Sequence, residues 1–294
     1  MTHPADQATA PDLPDPALVA SIYDDLAAGH ALHPGYWPDG YHADVTGTPW
    51  RDAADGLTDL FIDKAGLRAG AHLLDLGCGN GQPADRAARA AGVRVTGITV
   101  NPRHLATAAA RRTDGLRFEL VDGTRLPHPD RSFDAAWALQ SLVEITDQAA
   151  AVREVLRVLR PGGRFVVGDI VTRDRLPQRY EAMWTGTAAH TPETLAALVR
   201  EAGFDVLDVT DLSARTRCVV SWHVDHLLRL VDDLDPVAAE ERRTRHLADV
   251  AVRYGTAAAD LIAALAAYRH HPDYAADEAR MGFVVVTARK ADAQ

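Results

Sequence analysis

Asp75, Gly77, Gly79 and Gly81 stand at alternate positions in Asp-Leu-Gly-Cys-Gly-Asn-Gly, directly after the apolar residues Leu73, Leu74 and Leu76. Glycines so spaced permit positive φ and let a ligand approach bare backbone N–H groups. The apolar run reads as a buried parallel strand, and the Ala- and Arg-rich stretch after Gly81 reads as a helix. Such a turn suits a nucleotide-like ligand at the carboxyl edge of a sheet. Two acids, Glu144 and Asp169, follow later apolar runs at equivalent positions. A carboxylate titrating near 4 is a poor base for an alcohol unless burial raises its pKa. Glu144 also suits the stabilisation of positive charge on a substrate. Cys78 reads as a small residue inside the glycine loop, not as a nucleophile.

The spacing separates two ligand classes. Dinucleotide pyrophosphate sites carry Gly-x-Gly-x-x-Gly and an acid after the second strand. This chain carries Gly-x-Gly-x-Gly, and Thr99, Val100 and Asn101 stand where that acid would be. A nicotinamide-dependent oxidoreductase is therefore discounted.

Asp-x-Gly-x-Gly-x-Gly after an apolar strand resembles motif I of the class I S-adenosylmethionine (SAM)-dependent methyltransferases. The resemblance runs nearly unbroken from Leu73 to Ile170 and is strongest to the small-molecule subgroup related to sterol, tocopherol and bacterial natural-product enzymes. It implies that Asp75, Gly77, Gly79, Asn80 and Gly81 hold the cofactor. Gly97-Ile-Thr-Val-Asn-Pro-Arg-His104 is similar to the subgroup's Gly-Ile-Thr-x-Ser-x-x-Gln, which brings Thr99, Val100, Asn101 and His104 to the cofactor. Asn101 equally reads as an N-cap, with Pro102 at the first helical position. Asp122, followed by Gly123, sits where the family holds the adenine amino group, although Asp-Gly is also a plain turn. Gln140-Ser-Leu-Val-Glu144 stands where relatives often read Glu-Ser-Leu-x-His, so Gln140 replaces an acid and Glu144 replaces the usual histidine. Tyr23-Asp and Leu32-His33-Pro-Gly-Tyr36-Trp37 resemble the N-terminal lid of the same enzymes, which carries Tyr23, His33, Tyr36 and Trp37 towards SAM and substrate.

The expected reaction is methyl transfer from SAM, leaving S-adenosylhomocysteine (SAH), to a small secondary metabolite. Oxygen is the default acceptor, nitrogen comes next, and carbon is left open by the loss of the usual histidine. Glu144 and Asp169 are the catalytic candidates, one assisting catalysis and the other orienting substrate. The alternative is a methyltransferase fold that binds SAM or SAH without transfer and shapes a pocket for cyclisation, rearrangement or binding. Intact motif I and Asp122 argue that cofactor binding persists in either case.

These groups need a scaffold. The implied fold is α/β, a Rossmann-like seven-stranded sheet, mostly parallel with an antiparallel last strand, under a helical cap. Strands are expected at 72–76, 94–100, 116–121, 135–139, 164–171, 204–209 and 281–288. Helices are expected at 18–28, 50–65, 83–91, 152–159 and 191–202, with two more between Arg217 and Ala267 separated near Asp233–Pro236. The division is a disordered leader (1–17), a helical lid (18–65), the SAM-binding core (66–172, with 191–209 and 281–290) and substrate-facing insertions (173–190 and 210–280). Trp184, His190, Trp222, His223 and His226 fall in those insertions. Two histidines three apart, without a nearby cysteine or acid pattern, do not make a metal site, and none is expected.

Composition agrees with one globular catalytic unit of 294 residues, 47% hydrophobic and 24% charged. A net charge of −10 disfavours sequence-independent nucleic-acid binding. Two cysteines make no disulfide framework, and no apolar run has the length of a membrane span. A cytoplasmic enzyme with a small-molecule partner is expected, with homo-oligomerisation left open.

Overall fold

Seven strands form the central sheet of the computed structural model, which describes residues 31–41, 50–174, 190–217, 219–229, 231, 234–268 and 279–292. In chain order the described strands are β1 (Gly35–Tyr36), β2 (His72–Leu76), β3 (Arg94–Thr99), β4 (Leu116–Leu120), β5 (Phe133–Leu139), β6 (Leu159–Thr172), β7 (Phe204–Asp211), β8 (Thr216–Arg217) and β9 (Met281–Lys290). The large sheet runs β4-β3-β2-β5-β6-β9-β7. Pairings from β4 through β6 are parallel, and β9 lies antiparallel to both β6 and β7. This is the mostly parallel sheet with a reversed last strand.

The central strands read as continuous apolar runs because helices cover both of their faces. The described helices are α1 (Trp50–Ala65), α2 (Gln82–Ala91), α3 (Pro102–Ala109), α4 (Gln148–Val158), α5 (Pro192–Glu201), α6 (Val219–Arg229), α7 (Pro236–Tyr254) and α8 (Thr256–Tyr268). Leu73, Val95 and Trp137 pack with Leu57 and Phe61 of α1 and Ala84 and Ala87 of α2. Leu74, Leu76 and Ala136 face the other way, onto Val152 and Val155 of α4 and Val199 of α5. Burying a side chain such as Leu57 or Phe61 contributes about 1.5–3 kcal/mol. Arg86 of α2 grips Asp59 through two bonds of 2.7 and 2.6 Å and Asp55 through one of 2.9 Å, fixing α2 against α1.

Three differences from the sequence expectation are local. The helix before β6 starts earlier, at Gln148, because Asp147 caps it by accepting the Ala150 N–H at 2.9 Å. Arg160-Pro-Gly-Gly ends no helix directly. It forms an irregularity within β6, where pairing jumps from Phe133↔Leu159 to Ala135↔Arg164. Among the described residues, 219–268 hold three helices, since Gly255 (φ 89) divides the second expected stretch. The expected helix at 18–28 lies outside the described residues.

The lid loop and the cap share a core of their own. β1 pairs antiparallel with β8, setting Gly35 opposite Arg217 and Tyr36 opposite Thr216. Trp37, Tyr41 and Trp50 then pack with Val224 and Leu227 of α6, Val250 of α7 and Leu261 and Ile262 of α8. Among the described residues no helix is long and apolar enough to cross a membrane.

Candidate functional site

The glycine loop turns sharply at the carboxyl end of β2. Gly77, Gly79 and Gly81 have φ of 76°, 51° and 76°, a region that side-chain-bearing residues enter at a cost. Space forbids a side chain as firmly as conformation does. A Cβ at Gly77 would lie 2.4 Å from Ser141 Cβ, and one at Gly81 would lie 2.7 Å from Phe118 Cζ. At Gly79 it would lie 3.1 Å from Leu32 Cδ1 of the lid loop. The Ser141 hydroxyl donates to the Leu76 carbonyl and ties the end of β5 to this turn. Cys78 N–H donates to Ile98 O and Gly81 N–H to Cys78 O, each at 2.9 Å. The buried Asn80 accepts the Gln82 N–H on Oδ1 at 3.1 Å. Gly81 then leads into α2, whose N-terminus faces the loop.

Asp75 lies beneath this turn at 2% exposure. Burial pushes its carboxyl up to about 7, and the Trp137 indole, in register on β5, counteracts part of that shift. Its Oδ2 is buried with no hydrogen-bond partner among the described residues. Such an atom is costly unless something satisfies it. Burial and the Asp75 charge push the Cys78 thiol far upward, so it is no nucleophile.

The next two strands supply a second wall. Thr99 ends β3 and its hydroxyl accepts the Asn101 N–H at 3.1 Å. Asn101 Oδ1 caps α3 by accepting from Arg103 N–H (2.9 Å) and His104 N–H (3.3 Å). Val100 between them is 70% exposed, an apolar side chain open at the sheet's carboxyl edge. Asp122, after β4, accepts the Thr124 N–H and hydroxyl on Oδ1, both at 2.8 Å. Gly123 presses on Leu76, where a Cβ would meet Leu76 Cδ1 at 2.4 Å.

On the other side of the glycine loop, Gln140 leaves β5 with φ 51, an uncommon conformation for a glutamine. Its N–H donates to Gly168 O at 2.7 Å, and its Oε1 is buried without a partner among the described residues. A single 3₁₀ turn, Leu142–Glu144, follows. Asp169, near the end of β6 and 2% exposed, accepts the N–H groups of Val143 and Ile170 at 2.9 Å each. Burial raises its carboxyl to about 7, those N–H bonds oppose the shift, and the Glu144 charge adds to it. Asp169 is thus a bracket under the turn that carries the exposed Glu144. His190 joins Leu142, Val143, Asp169, Ile170 and Leu195 around a small pocket. Its ring is engaged by Gln148 Oε1 and, at 3.2 Å, by the Thr194 hydroxyl, and burial lowers its pKa.

Because β4, β3, β2, β5 and β6 are neighbours, these segments line one continuous carboxyl edge. Two of the expected lid residues, His33 and Trp37, are buried. His33 is 4% exposed; its Nδ1 donates to Pro34 O at 2.9 Å, which leaves Nε2 to accept from Thr58 at 3.2 Å. Burial lowers its pKa to about 4, so it stays neutral. Trp37 is 2% exposed and packs edge-on against Tyr41 with ring centres 4.9 Å apart. A Leu-His-x-Gly-Tyr-Trp pattern cannot distinguish rings that face a ligand from rings that anchor the loop, and here both rings anchor it. Among the described lid residues Leu32, which the sequence pattern did not single out, reaches the glycine loop. Ser141 was also missed, although its place between Gln140 and Leu142 in a recognised motif was signal enough. Tyr23 and Trp184 lie outside the described residues, as do the side chains of His223 and His226.

Known proteins are similar to this chain over most of its length. Residues 74–167 match the model of a family described as a methyltransferase domain. The 27-O-demethylrifamycin SV methyltransferase of Amycolatopsis mediterranei is 34% identical over 297 residues, covering 95% of this chain and 99% of that one. The chain belongs to the class I SAM-dependent methyltransferases. Methyltransferase GfsG of Streptomyces halstedii is 38% identical over 198 residues, 63% of this chain and 70% of its own. The crystal structure of the [4+2]-cyclase SpnF superposes with a TM-score of 0.70 at 36% identity, covering 98% of this methyltransferase and 100% of the cyclase.

SAM is the cofactor, and the residues present fit it. The glycine turn lets a ligand meet backbone, Val100 offers an open apolar surface, and Asp75 Oδ2 and Gln140 Oε1 are acceptors awaiting donors. When bound, SAM supplies an electrophilic methyl group on a sulfonium.

Proposed function

We propose that this methyltransferase methylates a hydroxyl oxygen of a secondary metabolite, with Glu144 as proton acceptor once the bound substrate buries it and Asp169 as the group that positions it. The observation that carries the reading is the division of labour between the two acids. Asp169 is buried and committed to backbone N–H groups, whereas Glu144 is exposed on the turn it supports, at the same edge as the glycine loop. The relative that acts on 27-O-demethylrifamycin SV supports oxygen as acceptor. In this reading Asp75, Gly77, Gly79, Asn80 and Gly81 bind the methionine and ribose portion of SAM. Thr99, Val100, Asn101 and His104 flank the adenosine, Asp122 and Gly123 hold the adenine amino group, and Gln140 closes the site from β5. The chain's main contribution is alignment, worth roughly 7–11 kcal/mol when pre-organised. A positioned base adds about 10²–10⁴-fold. A net charge of −10 supports a diffusible small molecule as partner over nucleic acid, and a cytoplasmic location is proposed with it.

The test is an acceptor screen by mass spectrometry, with 27-O-demethylrifamycin SV as the first probe and SAH release as the second readout. Addition of one methyl group with stoichiometric SAH supports transfer. Glu144→Gln should cut turnover by about 10²-fold or more while SAM affinity stays within twofold. Unchanged turnover would remove Glu144 from the mechanism.

A second reading rests on the cyclase, which matches this chain end to end at 36% identity. Here the same pocket would bind SAM or SAH and fold a polyene without transferring a methyl. An isomer of unchanged mass, formed without SAH release, would favour it.

A further inference from the structure

We infer that Arg111 is a positioning residue for the cofactor, fixing the glycine loop from outside the motif. Arg111 follows α3, thirty-one positions after Asn80, and its Nε donates to the Asn80 carbonyl at 2.8 Å. Asn80 is 1% exposed and joins Gly79 to Gly81 at the tightest part of the turn. The guanidinium is held in turn by Asp85 of α2, whose Oδ2 lies 3.7 Å from Nη1. Asp85 also takes the Thr113 hydroxyl, and Arg89 reaches both Asp85 (3.1 Å) and Thr113 (3.0 Å).

The consequence is mechanical. In a loop with three left-handed glycines, nothing but neighbours prevents the peptide planes from rotating. Asn80 Oδ1 secures one side of its residue by capping Gln82, and Arg111 secures the other by holding the Asn80 carbonyl. Ala108 at the end of α3 and Phe118 on β4 complete the clamp, packing where a Gly81 side chain would be. Arg111 therefore joins the α3–β4 unit, which carries Asn101 and leads to Asp122, to the loop after β2. A charge-assisted bond to a carbonyl is stronger than a neutral one, and Arg111 places it where the backbone is least able to hold itself.

The inference rests on SAM binding at this edge and not on which atom is methylated, so its test needs no acceptor. Titration calorimetry with SAH and with adenosine compares a ligand that spans the loop with one that meets it through the ribose alone. Arg111→Met should weaken SAH by about tenfold or more and adenosine by less than threefold, since one lost bond to a charged donor is of that size. Arg89→Met removes a partner of the same network that never touches Asn80, and should leave both affinities unchanged. Arg111→Lys keeps the charge but not the Nε geometry, and its SAH affinity should fall between wild type and Arg111→Met. Wild-type SAH affinity in Arg111→Met, equal losses for SAH and adenosine, or an equal loss in Arg89→Met would each overturn the inference. Should Arg111→Met not fold, the lysine variant carries the test alone, and unchanged SAH affinity there overturns it.

Discussion

The cofactor edge and the lid–cap core are built by opposite means. At the edge, specificity comes from removing side chains: three glycines at positive φ, each hemmed in by a neighbour, leave a surface made of backbone. In the lid–cap core it comes from adding them, with Trp37, Trp50 and Trp222 in a chain of rings 6.2 and 6.3 Å apart. Contacts at the edge cross moderate stretches of chain, as between Asn80 and Arg111, 31 positions apart, and Leu76 and Ser141, 65 apart. Those of the lid–cap core are distant, as between Tyr41 and Asp225, which are 184 positions apart. A substitution at the edge should therefore abolish binding in a folded protein. One in the lid–cap core should cost stability first and binding only through the lid.

The sharpest break in that contrast is Gly79→Val. A β-branched residue at φ 51 is strained, and its Cβ would press on Leu32 at 3.1 Å, between the loop and the lid. Calorimetric titration should show no SAH binding while the far-ultraviolet circular dichroism keeps its wild-type form. Retained affinity would mean that the loop does not contact the cofactor.

Next in size is a dependence on pH that Asp75 and Asp169 give the edge, opposite in sign to that of the buried His33 in the lid loop. Asp75 and Asp169 both have carboxyls raised to about 7 by burial, above the 3.8 of a free aspartate. Folding thus favours their protonated forms, so their contribution to stability is full below about pH 4 and is lost as pH rises towards 7. The integrated loss is on the order of 4 kcal/mol for each group at most. Melting temperatures of the ligand-free protein between pH 4.5 and 8 should fall less steeply in Asp75→Asn than in wild type. A bound cation or donor favours the ionised carboxylate, so SAM affinity should rise through the same interval in wild type and not in the variant. Parallel curves for the two proteins would show that Asp75 is ionised throughout.

The same contrast explains what could be read from the sequence. The sheet was legible because its strands are short apolar runs ended by glycines, aspartates or a proline. α1 was read to the residue because its apolar positions keep helical spacing. The turn at Gly77, Gly79 and Gly81 was legible because a tight strand-to-helix turn demands glycines at fixed spacing. The places of His33 and Trp37 were not legible, since an aromatic ring serves a pocket and a core equally well. Arg111 was invisible for another reason. It is one arginine among many, and its importance comes from a bond to a carbonyl, an atom that every residue possesses.

Tyr41→Phe gives the smallest effect and tests the lid–cap side alone. The phenol donates to Asp225 Oδ2 at 2.5 Å, and both residues are buried, at 1% and 5% exposure. Arg217, whose guanidinium carbon lies 4.5 Å from the Tyr41 ring centre, keeps its cation–π contact in the variant. Only the hydroxyl is lost, leaving a buried carboxylate oxygen without that donor at a cost of about 1–3 kcal/mol. Urea unfolding should therefore shift to a lower midpoint with an unchanged slope. SAH affinity should fall no more than threefold, because Leu32 still reaches Gly79 once the lid is folded. A loss as large as that of Gly79→Val would erase the contrast, and would mean that the lid–cap core is part of the cofactor site itself.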